Sequence, residues 1–409
     1  MKHKVVSLFS GCGGMDIGFE GNFKCLKKSV NPSIHPDWIK EDYGEWVLLE
    51  PTIFDTVFAN DIRSDAKLAW TNYYADKKQN ASSIYHLASI VDLVKQARLG
   101  QSVFPNEVDI VTGGFPCQDF SIAGKRQGFD SQRSHTGQRL EAGEPSIESR
   151  GQLYMWMRDV ISITKPKLFI AENVKGLTDL ADVKDVIEHD FANAANGGYI
   201  VVPARVLFAA DYGVPQSRSR VIFFGFRKNA LKKNALKALT QSVIPTKYDP
   251  YPIPTHGITN MPYVNCLDAF IGLDEPDLTH DPSQKKYSKA KYMGSHCQGQ
   301  TEIKLDSIGP TIRSEHHGNI EYRRLSVEHG GKYIKELSSG LEERRLSVRE
   351  CARIQTFPDD YEFILPKTTE HASLCSSDAY KIIGNAVPCV LAYNIAKNIE
   401  SKWTLYFKQ

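Results

Sequence analysis

The run Val108-Asp109-Ile110-Val111-Thr112-Gly113-Gly114-Phe115-Pro116-Cys117-Gln118-Asp119-Phe120-Ser121 joins an apolar segment to a cysteine across two glycines and a proline. The apolar part reads as a buried strand of a parallel sheet. The glycines let the backbone turn sharply at the strand's end, and Pro116 fixes φ and withholds a donor just before the cysteine. In an open α/β sheet, ligands and chemistry collect at the carboxyl ends of the strands. Cys117 is therefore placed like a nucleophile. Taken alone it is equally a buried small hydrophobe, the usual state of a free cysteine.

The same strand-then-turn rhythm recurs on both sides. Lys4-Val5-Val6-Ser7-Leu8-Phe9 is a first strand, followed at once by Ser10-Gly11-Cys12-Gly13-Gly14-Met15-Asp16. A glycine-rich turn between strand and helix brings backbone N–H groups close to a ligand. Its spacing is neither G-x-G-x-x-G nor a P-loop, so a nucleoside without a pyrophosphate fits better than a dinucleotide, with a plain βα turn as the alternative. Thr56 to Asp61 is a second strand ending in an acid, and Asp65 to Tyr74 a helix. Asp61 either accepts from ribose hydroxyls or caps that helix. His86 to Val94 reads as a helix or a strand-to-helix passage. A helix from Arg150 to about Ile163 precedes the strand Lys167–Ala171, which ends in Glu172-Asn173-Val174. With no basic neighbour in sequence, Glu172 is expected to be an acid kept protonated by a dry site. Ala204–Leu207 and Ser219–Gly225 are further strands. In an extended segment between them, Gln216, Arg218 and Arg220 fall on one face, either toward a polar ligand or as a solvated edge.

Other segments lack this rhythm. Residues 21–54 look like an insertion with few periodic signals. Residues 124–150 form a long polar loop whose Lys125, Arg126, Arg133 and Arg139 suit phosphate contacts or plain solvation. A lysine-rich helix from Leu231 to Leu239 and a proline-rich stretch mark a domain boundary after residue 228. Residues 261–343 are basic, aromatic and loop-rich, including Lys285 to Tyr292, Arg313 and Arg323, and suit either a nucleic-acid surface or solvated charge. Ser347 and Glu350 form a capping box at the head of the helix 346–358. Gly384-Asn385-Ala386-Val387-Pro388 leads into a C-terminal helix, 389–402.

Composition sets limits. The 409 residues are 41% hydrophobic and 24% charged, with a net charge of +2, so any nucleic-acid surface must be a local patch. The eight cysteines contain no C-x-x-C pair, which argues against a zinc ribbon or a disulfide scaffold and fits a reducing cytosol. Neither a signal peptide nor a membrane span is expected.

Taken in order, six motifs resemble those of the C5-cytosine-specific DNA methyltransferases of bacterial restriction-modification type. They are Phe9-Ser10-Gly11-Cys12-Gly13-Gly14, Gly114-Phe115-Pro116-Cys117-Gln118, Glu172-Asn173-Val174, Gln216-Ser217-Arg218-Ser219-Arg220, Arg349 to Pro358, and Gly384 to Pro388. The resemblance runs from residue 4 to about 400. It implies an α/β fold with a doubly wound, mostly parallel sheet, the S-adenosylmethionine-dependent methyltransferase fold, plus a second, smaller irregular domain. Residues 1–228 with 377–409 would form the catalytic, cofactor-binding domain, and 229–376 the target-recognition domain.

The resemblance also implies roles. Phe9, Gly11, Cys12, Gly13, Gly14, Asp61, Ile62, Leu153, Asn385 and Val387 would bind S-adenosylmethionine, Asp61 through the ribose. Ser89 aligns where the family reads adenine with an aspartate, and Ser7 stands where many members have an aspartate. Cys117, held by Pro116, would add to C6 of a cytosine flipped out of duplex DNA. Glu172, beside Asn173, would act at N3, its carboxyl raised by a dry pocket, and Arg220 with Arg218 would hold O2. Lys125, Arg126, Gln216, Arg313 and Arg323 would contact DNA. No metal is needed. The expected setting is a cytoplasmic, nucleoid-associated monomer that shares its site with a restriction endonuclease without a stable complex. A tRNA methyltransferase, a binding module that has lost activity and a nucleotide-dependent oxidoreductase are the rivals.

Overall fold

Along the strand His3–Leu8, Val5 and Ser7 point to one side and Val6 and Leu8 to the other, and all four are buried. A strand buried on both faces must be covered on both, and that requirement builds the layers of this protein. The computed structural model describes residues 2–116, 153–179, 182–257, 260–289, 292–297, 299–316, 318–369 and 372–408. The strands are β1 (His3–Leu8), β2 (Lys24–Leu26), β3 (Ile39–Asp42), β4 (Trp46–Leu49), β5 (Phe54–Asp61), β6 (Tyr85–Leu87), β7 (Ile110–Gly114), β8 (Leu168–Val174), β9 (Tyr199–Phe208), β10 (Ser219–Arg227), β11 (Tyr322–Arg324) and β12 (Arg344–Arg345). The helices are α1 (Gly14–Glu20), α2 (Ser64–Tyr74), α3 (Ala81–Ile84), α4 (Ile90–Arg98), α5 (Leu153–Thr164), α6 (Val183–Ala192), α7 (Lys233–Leu239), α8 (Cys266–Ala269), α9 (Pro282–Lys285), α10 (Ile334–Ser338), α11 (Val348–Ile354), α12 (Ser376–Asn385) and α13 (Cys389–Tyr406).

Seven strands form one sheet in the order β6-β5-β1-β7-β8-β10-β9. The first five pair in parallel, whereas β10 is antiparallel to both β8 and β9. Alternation sorts the side chains. Val5, Ile110, Leu168, Ile170, Ile222 and Phe224 join the core that includes α1 and α13. Val6, Leu8, Val111, Phe169, Val221 and Phe223 join the core beneath α4, α5 and α6. The doubly wound, mostly parallel sheet expected from the sequence is present. Among the described residues, no helix is long and apolar enough to cross a membrane.

The insertion 21–54 carries more order than its sequence suggests. It holds a three-stranded antiparallel sheet in the order β2-β4-β3. Strands of three or four residues are too short for alternation to show as a pattern. The chain after Arg227 also stays close to the main sheet. Lys232 N donates to Tyr406 O at 2.8 Å, and Tyr251 Oη donates to Ile222 O at 2.8 Å. Residues 229–257 thus pack against the sheet and α13 before the chain enters its irregular part.

That irregular part is joined to α11 by buried charge. The capping box at Ser347 and Glu350 forms as its sequence indicates. Arg344 grips Glu350 with two bonds, of 2.9 and 2.8 Å, and Arg323 Nη1 reaches it at 3.1 Å. Arg323 and Arg324 also hold Glu275, at 2.7 and 3.0 Å. Burial alone would push the Glu350 carboxyl up, but Arg344, Arg323 and the Ser347 N–H hold it at about 2, below its ordinary 4.5. A lowered carboxyl contributes stability that is present above its unfolded value and lost as pH falls through its folded one. Urea unfolding of the wild type is therefore expected to lose stability between pH 4.5 and about 2. Glu350→Gln is expected to flatten that dependence and to cost about 3 kcal/mol at neutral pH, because it removes the buried carboxylate that Arg344 grips with two bonds. An unfolding midpoint equal to wild type would refute the assignment.

Candidate active site

From β1 the sheet extends to β5 and β6 on one side and to β7 and β8 on the other. Where the order reverses, neighbouring crossovers leave in opposite directions, and a crevice opens at the carboxyl ends of the strands. A cavity of about 330 Å³ lies there, lined by the residues that end or follow β1, β5, β7 and β8.

One end of the cavity is built on the glycine turn. Phe9 follows β1 at φ 53°, a conformation rare for a bulky residue, and lines the wall with Gly11 and Gly14. Gly11 N donates to Asp61 Oδ2 at 3.0 Å, and Arg63 N donates to Oδ1 at 3.1 Å. Burial raises the Asp61 carboxyl, and these two N–H groups act against the rise. Each carboxylate oxygen keeps a further lone pair for a ligand. Ile62, half exposed, lines the wall beside it, with Ser89, Leu153, Asn385 and Val387. Ser89 caps α4, its Oγ accepting from Val91 N at 3.3 Å. Asn60, absent from the residues singled out by sequence, pins the turn before Ser89: its Nδ2 donates to His86 O at 3.0 Å and Ala88 O at 2.8 Å. Its position beside Asp61 at a strand end was the available signal. Cys12 and Gly13 stand behind the wall. The Cys12 thiol is fully buried, donates to Ile382 O at 3.3 Å, and is pushed well up by burial.

The other end is polar and set by strand register. In the antiparallel pair β10–β8, Ile222 stands opposite Glu172 and Arg220 opposite Val174. Arg220 and Glu172 are therefore diagonal neighbours on one face. Arg220 Nε lies 2.6 Å from Glu172 Oε1, with both side chains nearly buried. The acid is thus not isolated, contrary to the expectation from its local sequence. The basic neighbour comes from a strand 48 residues away, which the local sequence around Glu172 does not reveal. A Cβ at Gly114 would stand 2.8 Å from Glu172 Oε2, so only glycine leaves that carboxylate in place. Asn173, buried, donates from Nδ2 to Phe115 O at 3.2 Å and accepts from Val174 N at 2.8 Å, fixing the turn before Pro116. Pro116 lines the cavity. Cys117, Lys125 and Arg126 lie outside the described residues.

The expected common face of Gln216, Arg218 and Arg220 is only partly realised. Arg218 and Arg220 line the cavity, but Gln216 is fully buried elsewhere. It donates to Ile354 O and to Gln355 Oε1, at 3.2 and 2.8 Å, and accepts from Ile312 N at 3.0 Å. The reason is that β10 begins only at Ser219, so strand alternation does not extend back to residue 216. Arg218 braces the site, donating to Ile312 O, Gly384 O and Ala386 O at 2.9 to 3.0 Å. Arg323, expected to face DNA, is instead paired with Glu275 and Glu350. Arg313 lies 3.5 Å from Glu321, and its backbone abuts Gly384 on the cavity wall.

Comparison with known proteins agrees with this architecture. The family C-5 cytosine-specific DNA methylase matches residues 3–401. The Type II methyltransferase M.BsuRI of Bacillus subtilis is 33% identical over 99% of this chain and 81% of its own. The Type II methyltransferase M.BspRI of Lysinibacillus sphaericus is 33% identical over 100% of this chain and 84% of its own. Among solved structures, the S. pombe Dnmt2 methyltransferase aligns with a TM-score of 0.53 and 17% identity, covering 98% of this chain and 99% of that one. The Entamoeba histolytica methyltransferase EhMeth aligns with a TM-score of 0.55 and 14% identity, covering 98% and 99%, and at this identity each shows the fold alone. With a sheet of this order, a cavity at its switch point and a family match over nearly the whole length, the chain belongs to the C-5 cytosine-specific DNA methylases and is a DNA cytosine-5-methyltransferase.

Proposed function

We propose that this enzyme transfers a methyl group from S-adenosylmethionine to C5 of a cytosine flipped out of a short, specific duplex DNA sequence, within a type II restriction-modification system. The observation that carries the proposal is a single cavity with Asp61 and the glycine turn at one end and the Glu172–Arg220 pair at the other. A buried ion pair is a weak source of stability. Its place on the wall of a cavity argues for chemistry instead.

The residues present fit the donor. Asp61 offers carboxylate oxygens to a ribose diol, Ile62 and Phe9 offer apolar surface to a base, and the turn from Gly11 to Gly14 lets backbone approach the amino-acid end. When bound, S-adenosylmethionine supplies an electrophilic methyl group. C5 of cytosine is a poor nucleophile, and Cys117 overcomes this by adding to C6 as its thiolate, which gives C5 enamine character. Glu172 Oε1 is held by Arg220, and its other oxygen, over Gly114, is assigned to carry the proton that the N3 edge of the base accepts as C6 is attacked. Arg220 is assigned to O2, where negative charge develops on addition, with Arg218 fixing the rim on which the base rests. Asn173 and Pro116 hold the turn that precedes Cys117. Once C5 carries the methyl group, loss of the C5 proton to water re-forms the C5–C6 double bond as the C6–S bond breaks and the Cys117 thiolate leaves. A base inside a duplex cannot reach this site, so flipping is required.

Target recognition is assigned to residues 229–376, chiefly the part after 257, together with Lys125, Arg126 and Arg313. A cognate endonuclease acting on the same sequence, without a stable complex, completes the system.

Three variants test the proposal with radiolabelled donor and duplex DNA. Cys117→Ser is expected to abolish transfer while DNA binding survives, and to lose the denaturant-stable adduct that the wild type forms with 5-fluorocytosine DNA. Turnover near wild type would exclude covalent catalysis. Glu172→Gln is expected to slow transfer by about 10²- to 10⁴-fold with donor binding retained. Loss of donor binding instead would make Glu172 structural. Gly114→Ala is expected to mimic Glu172→Gln by displacing the carboxylate, and unchanged kcat would exclude that coupling. Bisulfite sequencing of DNA from expressing cells reports the target sequence.

A further inference from the structure

Asp16 is a buried carboxylate that the chemistry above leaves without a role. It lies in the first turn of α1, directly after the glycine turn, and is 1% exposed. Its Oδ1 accepts from Ser7 Oγ at 2.6 Å, and its Oδ2 accepts from Trp70 Nε1 at 2.8 Å. Removing a carboxylate from water is costly unless its oxygens are paired, and these two donors make its burial tolerable. They also connect it to the cavity wall, each by a separate path.

The first path runs through Ser7, near the end of β1. Its single hydroxyl proton is committed to Asp16. Ser10 Oγ lies 3.0 Å from Ser7 Oγ and 2.9 Å from Ser7 O, and it accepts from Asn60 N at 3.1 Å. Ser10 O in turn accepts from Gly13 N at 2.9 Å. The second path runs through Trp70. Gly13 has φ 81°, and a Cβ there would stand 2.6 Å from Trp70 Cδ1 and 2.9 Å from Nε1. The indole is thus the floor beneath the turn. The indole also packs against Tyr85, with ring centroids 5.4 Å apart, and Tyr85 Oη donates to Gly11 O at 2.9 Å. Asp16 is where these two supports meet.

We propose that Asp16 is a positioning residue for the methyl donor: by accepting from Ser7 and Trp70 together, it sets how the Ser10–Gly14 turn stands on the cavity wall. This rests on reading the cavity as the donor site. An asparagine at position 16 cannot reproduce the arrangement, because its amide has one acceptor oxygen and its NH₂ must face a donor. Either the Trp70 N–H loses its partner or the Ser7 hydroxyl reverses and sends its proton toward Ser10.

The test compares wild type, Asp16→Asn, Ser7→Ala and the double variant. Binding of S-adenosylmethionine is measured by calorimetry, steady-state kinetics with both substrates, and the melting temperature. Asp16→Asn is expected to raise the Kd and KM for the donor about tenfold, the loss of one net buried hydrogen bond. The KM for DNA stays within about twofold, because Asp16 supports the glycine turn and not the Glu172–Arg220 end of the cavity. Adding Ser7→Ala to Asp16→Asn is expected to cost less than the sum of the two, since both act on one chain of bonds. Unchanged donor affinity in Asp16→Asn, strict additivity, or donor and DNA KM rising together with a fall in melting temperature would each overturn the inference. Should Asp16→Asn fail to fold, Ser7→Ala carries the same donor-against-DNA comparison, and equal or absent effects on the two KM values overturn it. A wild type that binds no donor removes the reading of the cavity and this inference with it, whereas donor binding left unaltered by the variants removes the inference alone.

Discussion

Strand β10 runs against β8 with Ile222 opposite Glu172, and from that register the polar half of the cavity follows. A slip of one residue would turn Arg220 onto the face where Val221 and Phe223 pack, and Glu172 would meet no cation. The register is held by apolar side chains on both faces: Ile222 and Phe224 in one core, Val221 and Phe223 in the other. Hydrophobic burial, which has no chemistry of its own, thereby decides the spacing of a carboxylate and a guanidinium. Gly114 completes the arrangement from β7, because a Cβ there would crowd Glu172 Oε2 at 2.8 Å. Three strands from separate parts of the chain converge on one pair of charges.

Around this centre the protein places buried arginines as braces. Arg218 joins the loop before β10 to Ile312 and to the end of α12. Arg344, Arg323 and Arg324 tie α11 to Glu275 and to β11. Burying a guanidinium carries a desolvation cost, and each of these is offset by carbonyl or carboxylate acceptors in fixed geometry. The result is a junction between the sheet and the irregular region that rests on directed bonds and not on apolar contact alone. Directed bonds specify one relative placement, and a site that must accept a donor from one side and a base from the other depends on that placement.

Much of the sheet was legible because its signals are local. Apolar runs ending in glycine or an acid marked β1, β5, β7 and β8, and the Ser347–Glu350 spacing marked the start of α11. The insertion was less legible, since β2, β3 and β4 are too short for alternation to register. Gln216 misled for a related reason. Alternation was carried back into a segment that is a loop bridged to Gly309, not a strand. Arg323 misled because a basic residue in a loop-rich region looks the same whether its partner is a phosphate or a buried glutamate.

The order of motifs, the residue types at the strand ends and the class of chemistry were all contained in the chain itself, because each depends on neighbours within a few positions. Partnership was not. Arg220 meets Glu172, Arg218 meets Gly384 across 166 residues, Trp70 meets Asp16 across 54, and Tyr361 meets the Cys12 carbonyl across 349. Which buried donor finds which acceptor is settled only when the sheet and its two cores close, because an ion pair or a buried hydrogen bond depends on separation in space and not along the chain.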